Sequence, residues 1–339
     1  MASIFPKFCA SSKKRKTVAE LEKIITAIEA SQSIAIITHM NPEGDTIGSA
    51  LACYHAFRDL GKRTTVYSPD PLLPELLFLP GAKEIRHSET LEEGYELCIV
   101  LDCTDRSRTA KLLNTIPPSI LIINIDHHKS NSRFGNLNWV DGMASSTGEM
   151  VYRLFKAMGR PISEEIATAL YTAILTDTGS FRYSNTSPEC LRAAAELLEL
   201  GARPEEVAEE LFEKRDLREI LLLSEALARM ELNADRTIAW ITLPRYLMER
   251  TGVGLEETEG FINYPRSIRG VRVALLFKEL SPGSYRVSLR SKGEIDVSLV
   301  AAAFSGGGHR NAAGCVVEGE LKEVKRRVLE EVSRVMDGR

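Results

Sequence analysis

The sequence predicts an α/β protein in two parts. A parallel-sheet, Rossmann-like N-terminal domain is joined by a helical connector to a smaller mixed-sheet α/β domain. Three observations predict this. Apolar, β-branched runs at Ser33 to His39, Glu96 to Asp102 and Ile120 to His128 read as strands buried on both faces, as parallel strands are. Each run ends in ionisable side chains: His39 with Glu43 and Asp45, Asp102 with Asp105, and Asp126-His127-His128. After about residue 235 the pattern changes to strands with few helices. Packing gives no reason to end a core strand in carboxylates and imidazoles. In an open parallel sheet the carboxyl ends of the strands share one edge, where ligands bind. The sequence therefore predicts one cluster of oxygen and nitrogen ligands drawn from distant segments.

The 339 residues suffice for about two domains. With 44% hydrophobic and 27% charged residues, the composition is that of an ordinary soluble globular protein. A net charge of −4 gives no global pull toward nucleic acid, so any anion site is local. No apolar run reaches the length of a membrane span, and the opening residues carry no apolar signal-peptide core. The expectation is a cytoplasmic protein with no membrane partner. Cysteines stand at 9, 53, 98, 103, 190 and 315 without a CxxC or zinc-finger spacing, which predicts buried, reduced thiols.

Residues 1–16, including Lys13-Lys14-Arg15-Lys16, read as an unstructured basic tail, with a weak nucleic-acid arm as the alternative. The catalytic domain is expected over 17–213. Thr17 caps a helix to Ala30, with Leu21, Ile24, Ile25 and Ile28 on one face. Beyond the first core strand, Asn41-Pro42-Glu43-Gly44-Asp45 is a polar turn, and a helix follows to about Leu60 and Gly61. Arg63 to Tyr67 reads as a strand, Pro69 to Pro80 as loop with room for one short helix, and Asp105 to Leu113 as helix. Residues 129–143 read as irregular. Ser145-Ser-Thr-Gly-Glu149 leads into a helix to Met158. An almost wholly apolar helix over Ile166 to Leu175 delivers Asp177, a fourth acidic tip, and two more helices cover 188–200 and 204–213. A leucine-rich helix over 216–232 lies in the expected connector, 214–234. The second domain, 235–339, reads as strands at Thr237 to Leu243, Val271 to Phe277, Tyr285 to Leu289 and about 313–317. It adds a short helix at Asp296 to Phe304 and a closing amphipathic helix through Leu321, Val324, Val328, Val332 and Val335.

His39, Glu43, Asp45, Asp102, His127 and Asp177 are candidate ligands, with Asp126 and His128 beside them. Converging carboxylates repel one another unless a cation is present. There are too many donors for one divalent ion and enough for two if Asp102, in the middle of the edge, bridges. Carboxylate and imidazole without thiolate favour Mn²⁺ and leave Mg²⁺, Co²⁺ and Fe²⁺ open, but argue against structural zinc. Such a pair activates water for displacement at phosphorus. In the second domain, Gly306-Gly307-Gly308 can form an anion-binding nest, His309 and Arg310 add donors, and Arg290 can grip a phosphate with two parallel bonds. A substrate lying between the domains is the expectation. Arg182 and Tyr183 stand between a role at a base or phosphate and ordinary packing. Trp139 and Trp240, with no aromatic or basic neighbours, read as core.

His39-Met-Asn-Pro-Glu-Gly-Asp45, Asp102, Asp126-His127-His128 and Asp177 together resemble the motifs of the DHH phosphoesterase superfamily. Gly306-Gly307-Gly308-His309 resembles the signature of its DHH-associated domain, subtype 1. Ser145-Ser-Thr-Gly-Glu149 and Thr176-Asp-Thr-Gly-Ser-Phe-Arg-Tyr183 are similar to the bacterial nanoRNase and 3′-phosphoadenosine 5′-phosphate phosphatase branch. The resemblance implies a two-Mn²⁺ hydrolase of very short RNA, linear dinucleotides or 3′-phosphoadenosine 5′-phosphate. It implies that His39, position 43 and Asp102 hold one metal, and Asp45, Asp102, His127 and Asp177 the other. Asp126 would orient its neighbours and His128 would face the substrate. Arg290 and Gly306 to His309 would bind phosphate and sugar. The family usually has Asp where this chain has Glu43, one methylene longer. A linear dinucleotide hydrolase of cyclic-dinucleotide signalling, an inorganic pyrophosphatase and a non-catalytic nucleotide sensor stand as alternatives, and a homodimer is left open.

Overall fold

The structure is a computed structural model and describes residues 12–338. The chain divides between Lys214 and Arg215 into two units.

The first unit is built on six parallel strands: β1 (Ser33–Ile37), β2 (Arg63–Ser68), β3 (Arg86–His87), β4 (Leu97–Leu101), β5 (Leu121–Asp126) and β6 (Leu137–Val140). Their spatial order is β3-β2-β1-β4-β5-β6. The order reverses between β1 and β4, which pair from Ile34 with Leu97 to Ile37 with Val100. That reversal is the place where a doubly wound sheet opens a crevice at its carboxyl edge. The strands are apolar on both faces for a visible reason. Ile34 and Ile36 enter one core with Leu97, Ile99, Ile123 and Ile125, while Ala35 and Ile37 enter another with Cys98 and Val100.

The helices are α1 (Ser12–Ala30), α2 (Gly44–Asp59), α3 (Thr147–Ala157), α4 (Glu164–Asp177), α5 (Pro188–Glu199) and α6 (Pro204–Ala208). Helices α2, α3 and α4 meet through residues that lack side chains. A Cβ at Gly48 would lie 2.3 Å from Ala169 O, at Gly44 2.5 Å from Thr176, and at Gly148 2.5 Å from the Ala173 methyl. This close approach carries Asp45 and Asp177 toward each other.

Several expectations are corrected here. Helix α1 starts at Ser12, so 12–16 continue a helix instead of a tail; Lys and Arg are good helix formers and nothing there breaks it. The rest of that predicted tail, 1–11, lies outside the described residues, as does Cys9. The segment 129–143 contains β6, whose Trp139 is fully buried and pairs with Ile125. Asp105 to Leu113 holds only short 3₁₀ turns, Arg106–Thr109 and Leu112–Thr115. The other cysteines are free and buried, and burial pushes the Cys53 and Cys98 thiols far up.

The second unit carries a mixed sheet: β7 (Glu231–Leu232), β8 (Ile238–Leu243), β9 (Val273–Ser281), β10 (Ser284–Ser291), β11 (Gly307–His309) and β12 (Ala312–Glu318). The order is β11-β12-β10-β9-β8-β7, antiparallel except for β8 with β9. Helices α7 (Leu217–Leu227), α8 (Arg245–Thr251), α9 (Asn263–Ser267), α10 (Val297–Ala302) and α11 (Leu321–Met336) flank it. The helix read from sequence as a connector, α7, shares a core with the sheet: Leu222, Leu223 and Ala226 pack with Ile241, Leu243 and Leu276. Val324, Val328 and Val332 of α11 pack on the opposite face with Val287 and Leu289. Among the described residues no helix is long and apolar enough to cross a membrane.

Candidate metal centre

Asp45 is fixed by backbone. One oxygen accepts the N–H of Thr147 at 2.7 Å, and the other accepts that of Gly148 at 2.8 Å. These are amides of the first turn of α3, which have no partner within the helix and favour negative charge. Asp102 follows β4 with φ +55, a left-handed conformation that costs most residues about 1–2 kcal/mol and that Asp tolerates better than most. Its Oδ2 accepts Thr46 Oγ1 at 2.6 Å and its Oδ1 accepts Thr147 Oγ1 at 3.2 Å. Asp126, fully buried at the end of β5, meets the backbone N–H and the Nδ1 of His128 with one oxygen and accepts Asn131 Nδ2, at 2.6 Å, on the other.

His127 stands in the middle. Its Nε2 lies 3.7 Å from Asp102 Oδ1, 3.7 Å from Asp177 Oδ2 and 3.8 Å from Asp45 Oδ2. That nitrogen is buried with no hydrogen-bond partner. Leaving a buried polar atom unmet costs about 1–3 kcal/mol, so its surroundings call for a partner. The distances are too long for hydrogen bonds. Donor atoms of Asp45, His127 and Asp177 converge, as do those of Asp102, His127 and His128. The residues present therefore fit a metal ion.

The electrostatics agree. Burial pushes the Asp45 carboxyl well above its usual range, and the charges of Asp102 and Asp177 push it further. Burial, then the Asp102 charge, raise Asp177 to about 8. Burial alone would raise Asp102, but its bond to His39 and the charges of His128, His39 and His127 hold it well below the usual range. His128 is opposed by burial, yet its bond to Asp126 and the Asp102 charge lift it to about 9. Two acids are thus driven toward protonation beside a third that stays charged, the condition that a dication relieves.

His39 is close to this group without being in either donor set. Its Nε2 lies 2.7 Å from Thr46 Oγ1 and 3.5 Å from Asp102 Oδ2. Its Nδ1 meets Met40 O at 2.7 Å and Arg108 Nη2 at 3.1 Å. Glu43, exposed at the N-cap of α2, belongs to neither set, although its charge acts on Asp177. Sequence reasoning missed Thr46, Arg108, Asn131, Thr147 and Asn185. All are ordinary loop or helix-start residues whose role exists only through contacts distant in sequence. Arg182 turns its Nε back to Gly179 O at 2.6 Å, and the Tyr183 ring occupies the space a Cβ on Gly179 would need.

In the second unit the glycine run, which the sequence leaves between a bare turn and an anion nest, is an edge strand. Gly307 to His309 pair with Gly314 to Ala312. A Cβ at Gly306 would lie 2.3 Å from Gly314 O, and one at Gly308 2.5 Å from Ala312 O, so close strand approach demands glycine. Beside it is a cavity of about 480 Å³ lined by Arg286, Ser288, Phe304 and Gly306. Half-buried Arg290 alternates onto the same face of β10 as Arg286 and Ser288.

A doubly wound α/β sheet with carboxylates and imidazoles gathered at its switch point defines the class: a metal-binding α/β protein. Comparison with known proteins gives the family. The model for the DHH family N-terminal domain matches residues 33–174, and that for the DHHA1 domain matches 244–338. The bifunctional oligoribonuclease and PAP phosphatase NrnA of Thermus thermophilus is 36% identical over 323 residues, covering 94% of this chain and 93% of that protein. The Bacillus subtilis protein of the same description is 26% identical, covering 87% of this chain and 92% of its own length. The crystal structure of an exopolyphosphatase-related protein from Bacteroides fragilis superposes with a TM-score of 0.88 at 27% identity, covering 94% of this chain and 96% of that one. The chain belongs to the DHH phosphoesterase family.

Proposed function

We propose that this chain is a Mn²⁺-dependent phosphoesterase that hydrolyses very short RNA, dinucleotides and slightly longer, to mononucleotides. We also propose that it removes the 3′-phosphate from 3′-phosphoadenosine 5′-phosphate, and that it works in the cytoplasm. The observation that carries the reading is His127 Nε2, buried and unpartnered among the carboxylates of Asp45, Asp102 and Asp177. The names of the Thermus and Bacillus relatives support the substrate class.

In this reading Asp45, Asp102, His127 and Asp177 hold one Mn²⁺, and His39, Glu43 and Asp102 the other. When bound, such ions would supply an activated water and charge stabilisation for the attacking and leaving oxygens of a displacement at phosphorus. The protein does the rest. Asp126 holds His128 in one orientation, and His128 offers a donor to the departing oxygen. Asp102 would serve both ions; its Oδ2 lies 3.5 Å from His39 Nε2 and its Oδ1 lies 3.7 Å from His127 Nε2. Arg290 and Gly306 to His309 bind substrate phosphate and sugar, next to a cavity with room for a base.

The test is a side-by-side assay with Mn²⁺ on a diribonucleotide, a ladder of longer RNAs and 3′-phosphoadenosine 5′-phosphate, each with a chelator control. Fastest, chelator-sensitive cleavage of the shortest RNAs is expected. Release of phosphate from pyrophosphate alone, with every nucleotide untouched, would replace this function with a pyrophosphatase.

A further inference from the structure

Asp177 is the last residue of α4, and the chain after it is bent hard. Gly179, Ser180 and Phe181 all have positive φ, at 56°, 59° and 60°. For Ser and above all for Phe this is a costly backbone, of the kind found where a site demands it. The turn is held by Ser180 N on Leu175 O and by Arg182 N and Tyr183 N on Thr178 O. Its effect is to bring Asn185 back to the residue the turn departed from. Asn185 Nδ2 lies 3.1 Å from Asp177 Oδ2, 3.2 Å from Asp177 O and 2.8 Å from Ser145 O.

The amide orientation follows from these partners. All three are acceptors, so the flipped amide would set oxygen against oxygen. The cost falls on the far side, where Asn185 Oδ1 is buried and meets no partner. The oxygen that Asn185 grips, Asp177 Oδ2, is the one facing His127 Nε2 at 3.7 Å. A carboxylate oxygen has two lone-pair directions, and a donor on one aims the other.

We propose that Asn185 is a positioning residue: it fixes the rotamer of Asp177 so that Oδ2 points at the metal beside His127. The proposal rests on the metal centre described above and assigns Asn185 no contact with substrate.

Asn185→Leu keeps the approximate size and removes the donor, and Asn185→Ser keeps a short donor. Each full-length variant would be titrated with Mn²⁺ by calorimetry, with thermal unfolding in chelator as the folding check. Removing an outer partner of a metal ligand weakens metal affinity by about 10–100-fold. That loss is expected for Leu, with a smaller loss for Ser. Diribonucleotide turnover by the Leu variant should then half-saturate at correspondingly higher Mn²⁺ and recover at saturation, which a merely structural defect would not do. Folded variants with wild-type Mn²⁺ affinity overturn the proposal and leave the function standing. Failure of both variants to fold makes Asn185 a folding determinant and overturns it too. Wild-type protein that binds Mn²⁺ but cleaves no RNA refutes the function alone. Wild-type protein that binds no Mn²⁺ refutes both.

Discussion

One oxygen of Asp126 holds His128 twice, accepting its backbone N–H at 3.2 Å and standing 2.6 Å from its Nδ1. The other oxygen is held by Asn131, so a fully buried carboxylate is satisfied by neighbours that it in turn orients. Asp126→Asn preserves the shape and removes the charge. The His128 pKa should fall from about 9, and kcat should drop about 10–100-fold with metal still bound. NMR titration of the His128 ring beside steady-state kinetics checks both. An unchanged kcat would remove His128 from the reaction.

Asp102 separates metal binding from backbone strain. At φ +55 an alanine would add strain of its own, whereas asparagine tolerates the left-handed region. Asp102→Asn should therefore fold, lose the paired metals together, and lose kcat by on the order of a thousandfold or more. Metal analysis of the dialysed variant decides. Robust Mn²⁺-dependent turnover by a chain lacking this carboxylate would contradict a shared Asp102.

Arg290 tests the second unit. Arg290→Ala should raise KM for diribonucleotide by about tenfold or more, since a charge-assisted bond to phosphate is lost. Mn²⁺ binding should not change. Loss of metal instead would contradict the role assigned to Arg290.

Without metal, stability should depend on pH in a set direction. Asp177 is raised from 3.8 to about 8, and His128 from 6.5 to about 9. Both keep protons in the folded chain that the unfolded chain has released. Their contribution is complete at low pH and is lost as pH rises through those folded values. Asp102 is depressed, so its contribution disappears only in acid. In chelator, Tm should fall between pH 3.8 and about 9, with Asp177 acting over the lower part of that window and His128 over the upper. Saturating Mn²⁺ should raise Tm most at the upper end. A Tm that rises with pH in chelator would contradict this balance.

The sequence made the sheet and its edge legible because the signals coincide there: Ile34 to Ile37, Leu97 to Leu101 and Leu121 to Ile125 are apolar runs stopped by charge. Strand β6 escaped because four residues with Asn138 among them show no pattern, and only Trp139 hints at a core. The segment holding Glu256–Ile262 and α9 escaped because short 3₁₀ turns lack helical periodicity. The glycine run was visible, but a run of glycines does not show that Gly307 to His309 pair with Gly314 to Ala312. Among site residues, those with ionisable side chains at strand ends stood out. Thr46, Thr147 and Asn185 did not, because a threonine or asparagine near a helix start looks like a cap.

The most direct test of the central claim is hydrolysis of a diribonucleotide by chelator-stripped protein as Mn²⁺ is added back in counted equivalents. The account predicts no turnover without metal and a rise to a plateau as the paired sites fill. Turnover in chelator, or silence with Mn²⁺ bound at His127 and its carboxylates, would contradict it.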